Sequence, residues 1–419
     1  MDERVDGGRN VSDIEVRPLR NDDELRDFLR CLGTAFHFNA TVTDTRLEFA
    51  RDTWEDHDRR LGAFVAGSLG GTAGSFATQL TVPGERTVAT AAVTQVTVLP
   101  THRRRGLLTA MMRTQLEDAV ARGELVAMLI AAEWPIYGRF GYGMATQAAS
   151  SILDAAAARF LEPGLEGTLE LVDPPTLRAL APAVFDRHRI TSPGSIERND
   201  VRWDVKSGVR VMDGREPPKT RYMVVHRDQS GEVDGYAVYD TNDEWVHNRP
   251  RVRVDVQELL TASDAATRDL WRFLCAIDWV QEVRGHVRPV DEDLRPLLVD
   301  GRAFRQEEPS DHMWVRLLDV AGALSARAYE VPVSTTIEVH DPFLERGGRF
   351  RLSDGVCTPT GATPDMSMEI DVLGAAYLGG TPLQPYALAR RVEEHTPGAL
   401  AALDRALRTS RAPWATTNF

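Results

Sequence analysis

From Thr90 to Leu99 the chain is an apolar run rich in valine and threonine. It then passes through Pro100-Thr101-His102-Arg103-Arg104-Arg105-Gly106, and apolar residues resume at Leu108, Met111, Met112, Leu116, Ala119 and Val120. The first segment has the composition of a central strand, and the last has the spacing of one buried helical stripe. The pattern predicts a strand, a basic turn and a helix over Leu107–Arg122, with Gly123 as its left-handed stop. The first N–H groups of a helix have no internal partners, and its dipole is positive at that end. A glycine there lets backbone approach a ligand closely, because it has no Cβ. Three arginines alone would fit an ordinary exposed turn. Set between a strand and a helix, they point to a phosphate or pyrophosphate.

Composition narrows the partners. The 419 residues carry 49 Lys plus Arg against 62 Asp plus Glu, a net charge of -13, which argues against nucleic acid or a polybasic membrane anchor. Hydrophobic residues make up 42% of the chain, enough for more than one core. No stretch approaches the ~20 apolar residues of a membrane span. Cys31, Cys275 and Cys357 are too far apart for a disulfide framework or a zinc knuckle, so no metal is expected. The first residues lack the pattern of a signal peptide, and the cytoplasm is the expected compartment.

Residues 1–12 read as a disordered leader. Residues 13–150 read as a first α/β domain: a strand from Ile14, a helix capped by Asn21, then strands on either side of the Pro83-Gly84 turn and the segment above. A similar order recurs over 151–308, with a strand at Thr168–Val172, helices at Pro174–Arg189 and Ala265–Trp279, and strands between them. This echo predicts a duplicated fold. No glycine or arginine occurs between Val256 and Ala266, so the second copy is expected to have no cofactor site. Residues 309–419 change pattern, with strands at Met313–Leu317, Ser334–Val339 and Phe350–Ser353 and helical segments at Asp371–Leu378, Thr381–Arg391 and Leu400–Leu407. They read as a separate α+β domain.

The turn from Pro100 to Leu108 resembles the acetyl-CoA signature of the GNAT acyltransferases. More narrowly, the chain resembles the Eis (enhanced intracellular survival) family of N-acetyltransferases. That resemblance rests on Ile136-Tyr137-Gly138-Arg139-Phe140-Gly141-Tyr142-Gly143, Leu270-Trp271-Arg272, Trp314-Val315-Arg316-Leu317, Cys357-Thr358-Pro359-Thr360, Asp371-Val372-Leu373-Gly374, Tyr377-Leu378-Gly379 and the final Phe419. It implies two tandem GNAT-like domains followed by a sterol-carrier-protein-like domain, assembled as a homohexamer. Acetyl-CoA would be the cosubstrate and a primary amine the acceptor: an aminoglycoside-like or polyamine small molecule, or a lysine side chain. The backbone of Val96 and Val98 would hold the pantetheine arm, and Arg103, Arg104, Arg105, Gly106, Leu107 and Leu108 the pyrophosphate. Tyr137 would be the general acid and the α-carboxylate of Phe419 the general base. The competing reading is a non-catalytic acyl-CoA- or lipid-binding assembly protein that retains the GNAT fold.

Chemistry sets conditions on these roles. A phenol near ~10 is a weaker acid than a thiol near ~8.5, so proton transfer from Tyr137 to a thiolate is uphill by about 2 kcal/mol. The site must lower the phenol's pKa or let it only hydrogen-bond the developing charge. The carboxylate is a weak base for an alkylammonium and needs burial or a water relay. The resemblance also implies an amine pocket often lined by acidic residues, one of them just before the final phenylalanine. Here that place is Asn418, the region Phe36-His37-Phe38-Asn39 lacks the carboxylate that often follows it, and Gln95 stands at a strand position that is often aromatic. Glu133 is the nearby carboxylate that could compensate. His37 is more readily a packed or surface histidine than a base.

Overall fold

The computed structural model describes residues 14–54, 56–162, 164–211, 218–242, 244–307 and 309–419, and the expected leader at 1–12 lies outside the described residues. The first domain comprises β1 (Ile14–Pro18), α1 (Asp22–Ala35), α2 (Asp44–Asp52), β2 (Arg60–Val65), β3 (Ser68–Val82), β4 (Arg86–Val98), α3 (Leu107–Ala121), β5 (Val126–Ile130), α4 (Trp134–Tyr137) and β6 (Gly143–Met144). The Asn21 side chain accepts the Glu24 N–H and caps α1, whose Leu25, Phe28, Leu29 and Leu32 are buried. The long β3–β4 hairpin turns through Gly84, which has a left-handed φ of +92°.

The second domain holds β7 (Gln147–Asp154), β8 (Thr168–Leu171), α5 (Pro174–Ile190), α6 (Asp200–Ser207), β9 (Arg221–Arg227), β10 (Val233–Thr241), a small hairpin of β11 (Trp245–Val246) and β12 (Arg249–Pro250), β13 (Val252–Thr261), α7 (Asp264–Ala276), β14 (Val280–Arg288), β15 (Phe304–Gln306) and β16 (Ser310–Asp311). Helix α7 stops short of the expected Trp279. Ile277 is already extended, and the exposed Trp279 takes a φ of +68°. After these come β17 (Met313–Leu317), α8 (Val320–Ala326), β18 (Ser334–His340), β19 (Gly348–Ser353), β20 (Val356–Pro359), β21 (Met366–Glu369), α9 (Ile370–Ala376), α10 (Gln384–Leu388), β22 (Val392–Glu394) and α11 (Ala399–Leu407). Only Gln384–Leu388 of the expected helix over Thr381–Arg391 forms: Pro385 in its first turn disfavours extension toward Thr381, and Arg390 turns left-handed (φ +59°) beyond its end.

Two strands cross the domain boundaries drawn from sequence. The first sheet runs β1-β2-β3-β4-β5-β17-β6, so Met313–Leu317 pairs with β5 and β6 rather than joining the last domain. Residues 147–150, placed in the first domain, belong to β7, which pairs with β14 and β15 in the second sheet, β15-β7-β14-β13-β10-β9-β8. Alternating hydrophobicity identifies a strand but not its partner, so a strand exchange leaves no local mark. The last domain adds a five-stranded sheet, β20-β19-β18-β21-β22, and shares a continuous core with the first: Leu80, Val126 and Met128 pack in one cluster with Ile337, Leu352 and Leu373.

The exchange explains the Phe140-Gly141-Tyr142 and Trp314-Val315-Arg316 motifs together. Arg316 on β17 is fully buried, donates to the Phe140 carbonyl and pairs with Asp341 at 2.6 Å. Gly141 has φ +83°, and a Cβ there would sit 1.6 Å from Arg316 Nη1. The arginine therefore ties three separate stretches of chain beside α4.

Candidate active site

Strand β4 pairs with β5 only through Thr90, Ala91 and Ala92; past Ala92 the two diverge. On the other side β4 stays paired to β3 through a bulge at Gln95, whose φ is +57°. Val96 and Val98 thus lie on a strand whose β5-facing edge is open, the geometry their proposed role requires. The turn after β4 has left-handed backbone at Arg104 (φ +61°) and Gly106 (φ +89°), then opens directly into α3. Arg103, Arg104 and Arg105 are exposed and make no ion pair among the described residues. Gly106 caps α3 without a side-chain hydrogen bond, and a Cβ on it would meet open space. The Leu107 side chain is core, packed with Leu61 and Met111, and Leu108 packs near Val96, so these two have only backbone N–H groups to offer a phosphate. Free cations, uncapped N–H groups and an open edge fit a CoA pyrophosphate and pantetheine.

The corresponding opening in the second domain is filled by the protein itself. There β13 pairs with β14 only as far as Val256, and Arg288 enters the gap, donating to the Leu259 carbonyl at 2.7 Å while paired with Glu292. Ser263 caps α7 by accepting the Ala266 N–H and is itself held by Asp234, and Asp264 in the first turn places a negative charge where a phosphate would bind.

Tyr137, at the end of α4, and Phe419 line one cleft of about 1090 Å³ together with Phe36, Asn39, Gln95, Val96, His312 and Asn418. Both come from distant parts of the sequence. The last residues reach the cleft because they are clamped along the second domain. Trp414 N donates to Pro193 O at 2.8 Å and its indole to Val287 O at 3.0 Å, while Arg198 donates to Thr417 Oγ1 and Thr416 O. His312 Nε2 donates to Asn418 Oδ1 at 2.7 Å, and the Phe419 ring meets Phe76 edge-on at 5.3 Å.

Burial, with a smaller push from Glu133, raises the Tyr137 phenol to about 12. At that value full transfer to a thiolate is uphill by about 5 kcal/mol, so of the two options above the burial of the ring favours the second, a phenol that only hydrogen-bonds developing charge. Glu133 is exposed and does not line the cleft, and His37 is exposed on a left-handed residue. Sequence reasoning missed His312, for which Asp311-His312-Met313 carries no motif. Burial lowers its pKa, which keeps the ring neutral, and Nδ1 is buried without a partner among the described residues. Gln95 Oε1, Thr416 Oγ1, Trp54 Nε1 and Arg60 Nε are unpartnered in the same way around this cleft and its extension past Phe419. Orphan polar atoms in such number fit a place where water or a polar ligand completes the hydrogen bonding.

The sequence matches the acetyltransferase (GNAT) domain family over residues 15–145, a second acetyltransferase (GNAT) domain family over 194–317, and the sterol carrier protein domain family over 320–416. Fold and site thus define a GNAT-type acetyltransferase that uses acetyl-CoA. Among its relatives, an N-acetyltransferase of Streptomyces avermitilis is 38% identical over 97% of this chain and 99% of its own length. The N-acetyltransferase Eis of Mycobacterium tuberculosis is 36% identical over 83% of this chain and 85% of its own. The crystal structure of Eis1 from Mycobacterium abscessus superposes with a TM-score of 0.85 at 34% identity, covering 97% of this chain and 100% of that one. The chain belongs to the Eis family of GNAT N-acetyltransferases.

Proposed function

We propose that the protein transfers acetyl from acetyl-CoA to a primary amine held in the cleft between Tyr137 and the Phe419 carboxylate. The observation that carries this is the convergence of Tyr137, the open edge at Val96 and the clamped tail on one cavity. Acetyl-CoA supplies the thioester: the amine nitrogen bonds to the acetyl carbon, the C–S bond breaks, and the proton lost from nitrogen balances the thiolate. Tyr137 donates a hydrogen bond to the sulfur as its charge develops. The terminal carboxylate, fixed by the Phe419 ring, accepts the amine's proton directly or through water. Arg103–Arg105 and the α3 N-terminus hold the pyrophosphate, and the last domain presents the tail.

Thiol release from acetyl-CoA over a panel of polyamines, aminoglycosides and lysine peptides tests this reading. Tight acetyl-CoA binding with no turnover on any amine would favour the non-catalytic alternative. Tyr137→Phe keeps the ring's packing and removes the donor, so kcat is expected to fall about 10- to 100-fold. Because the phenol sits near 12, the wild-type rate should show no alkaline loss from this group at pH 7–10. An alkaline limb near pH 8–9 that disappears in Tyr137→Phe would show an ionising phenol instead.

The match to Eis proteins over all three domains supports a homohexamer. Light scattering at micromolar concentration should give the mass of six chains, and a mass near 46.5 kDa would remove that assignment. The three cysteines are free thiols, which supports a reducing, cytoplasmic setting.

A further inference from the structure

The cleft continues past Phe419 into a recess of about 510 Å³, and Gln95, Asn418 and Phe419 line both parts. In a chain of net charge -13 the wall of this recess is cationic, with Arg198, Arg202, Lys206 and Arg288 on it. Among the described residues its one side-chain carboxylate is Glu258, and that group is already satisfied. Arg198 pairs with it at 2.7 Å, the Tyr236 hydroxyl donates to it at 2.7 Å and Lys206 lies 3.4 Å away.

Arg202, on α6, has no such partner. Among the described residues no carboxylate lies within ion-pair distance of it. Its guanidinium stacks over Phe76 at 4.1 Å from the ring centroid, while the Phe419 ring meets that same phenyl edge-on. One aromatic ring therefore separates the cation from the residue that carries the terminal carboxylate. Burial, and then the charge of Arg198, push its pKa down to about 10. Arg60 repeats the situation beside the first part of the cleft. It is 3% exposed, stacks over Trp54 at 4.6 Å, donates Nη2 to the Ala50 carbonyl, and leaves Nε without a partner. Arg60 is desolvated, whereas Arg202 is half-buried and its side-chain nitrogens, which make no hydrogen bond among the described residues, stay open to the recess, where an incoming anion gains charge-assisted hydrogen bonds from them. With Asn39, Gln95 and Asn418 neutral, the Phe419 carboxylate is the one negative group the cleft offers among the described residues, too little to offset repulsion between these arginines and a polycation.

We propose that the acceptor is an amine that also carries an anionic oxygen group, a carboxylate or a phosphate, bound by Arg202 while the amine faces the Phe419 carboxylate. The proposal rests on the reading of the cleft as the acceptor site, and it disfavours aminoglycosides and polyamines. The acyl transfer is unchanged: the anionic group anchors and orients the amine and takes no part in bond making.

The test is thiol release from acetyl-CoA with matched amines: phosphoethanolamine against ethanolamine, β-alanine against its amide, and spermidine and kanamycin as polycations. The anionic member of at least one pair should show kcat/KM at least about 10-fold higher, and the pair that responds identifies phosphate or carboxylate. Arg202→Gln should bring that ratio close to one, and Arg202→Lys, which keeps a point charge, should restore part of it. Calorimetry with acetyl-CoA reports that each variant is folded with its donor site intact. Neutral or polycationic amines preferred by the wild type would overturn the proposal and leave acyl transfer standing. So would a ratio untouched by Arg202→Gln, or a loss of acetyl-CoA affinity in its place. Thiol release with no amine of any class would instead bring down the acyl-transfer reading, and this inference with it.

Discussion

Adding Gly-Ser-Gly-Ser after Phe419 is expected to lower kcat at least about 100-fold while acetyl-CoA affinity changes by no more than about twofold. The clamps on the tail lie upstream of the added residues. Trp414 is fixed by Pro193 and Val287, Thr416 and Thr417 by Arg198, and Asn418 by His312, so the tail should stay seated and the thermal midpoint unchanged. Only the negative charge moves, from the α-carbon of Phe419 to the end of a solvated extension. A positioned general base contributes typically ~10²–10⁴ in rate, which sets the size of the loss. The turn at Arg103–Gly106, proposed for acetyl-CoA, lies outside the set of residues lining the cleft with Phe419, so donor binding should not respond. Steady-state thiol release together with calorimetry separates the two quantities. Full turnover in the extended chain would end the assignment of the terminal carboxylate as base. The neutral His312, with its unpartnered Nδ1, would then be the candidate, since Glu133 lies outside the cleft.

Gly106→Glu should weaken acetyl-CoA binding at least about 100-fold. Two effects add. The residue sits at φ +89°, where a side-chain-bearing residue costs about 1–2 kcal/mol. Its Cβ would also project into open space over the start of α3, and a carboxylate there opposes the pyrophosphate that the free N–H groups and arginines attract. Gly106→Ala isolates the first effect: it carries the strain without the charge and should cost about tenfold in affinity or less. Calorimetry on both variants checks the pair, with circular dichroism to confirm that α3 persists. Unchanged affinity in Gly106→Glu would move the donor site away from this turn.

Much of this site was readable from residues alone because its parts are local. The apolar run of β4, the left-handed stop at Gly123, and the helical stripe from Leu108 to Val120 each depend on neighbours within a few positions. The same holds for the cap at Asn21. The motifs around Tyr137 and Arg316 were visible as strings, but their physical meaning was not. Gly141 is glycine because Arg316, on a strand far along the chain, occupies the place of its Cβ. The direction of the Tyr137 shift was equally hidden, since it depends on what buries the ring.

What the sequence by itself determined is the proposed donor half of the protein: the strand, the basic turn and the helix, whose conformations follow from short-range sterics and hydrophobic period. The acceptor half was decided by tertiary structure alone. The exchange of β7 and β17, the filling of the second domain's gap by Arg288, the seating of Phe419 beside Phe76, and the unpaired Arg202 behind it all arise from contacts between distant segments. Periodicity names an element without naming its partner, and charge composition counts cations without showing which of them folding leaves without an anion.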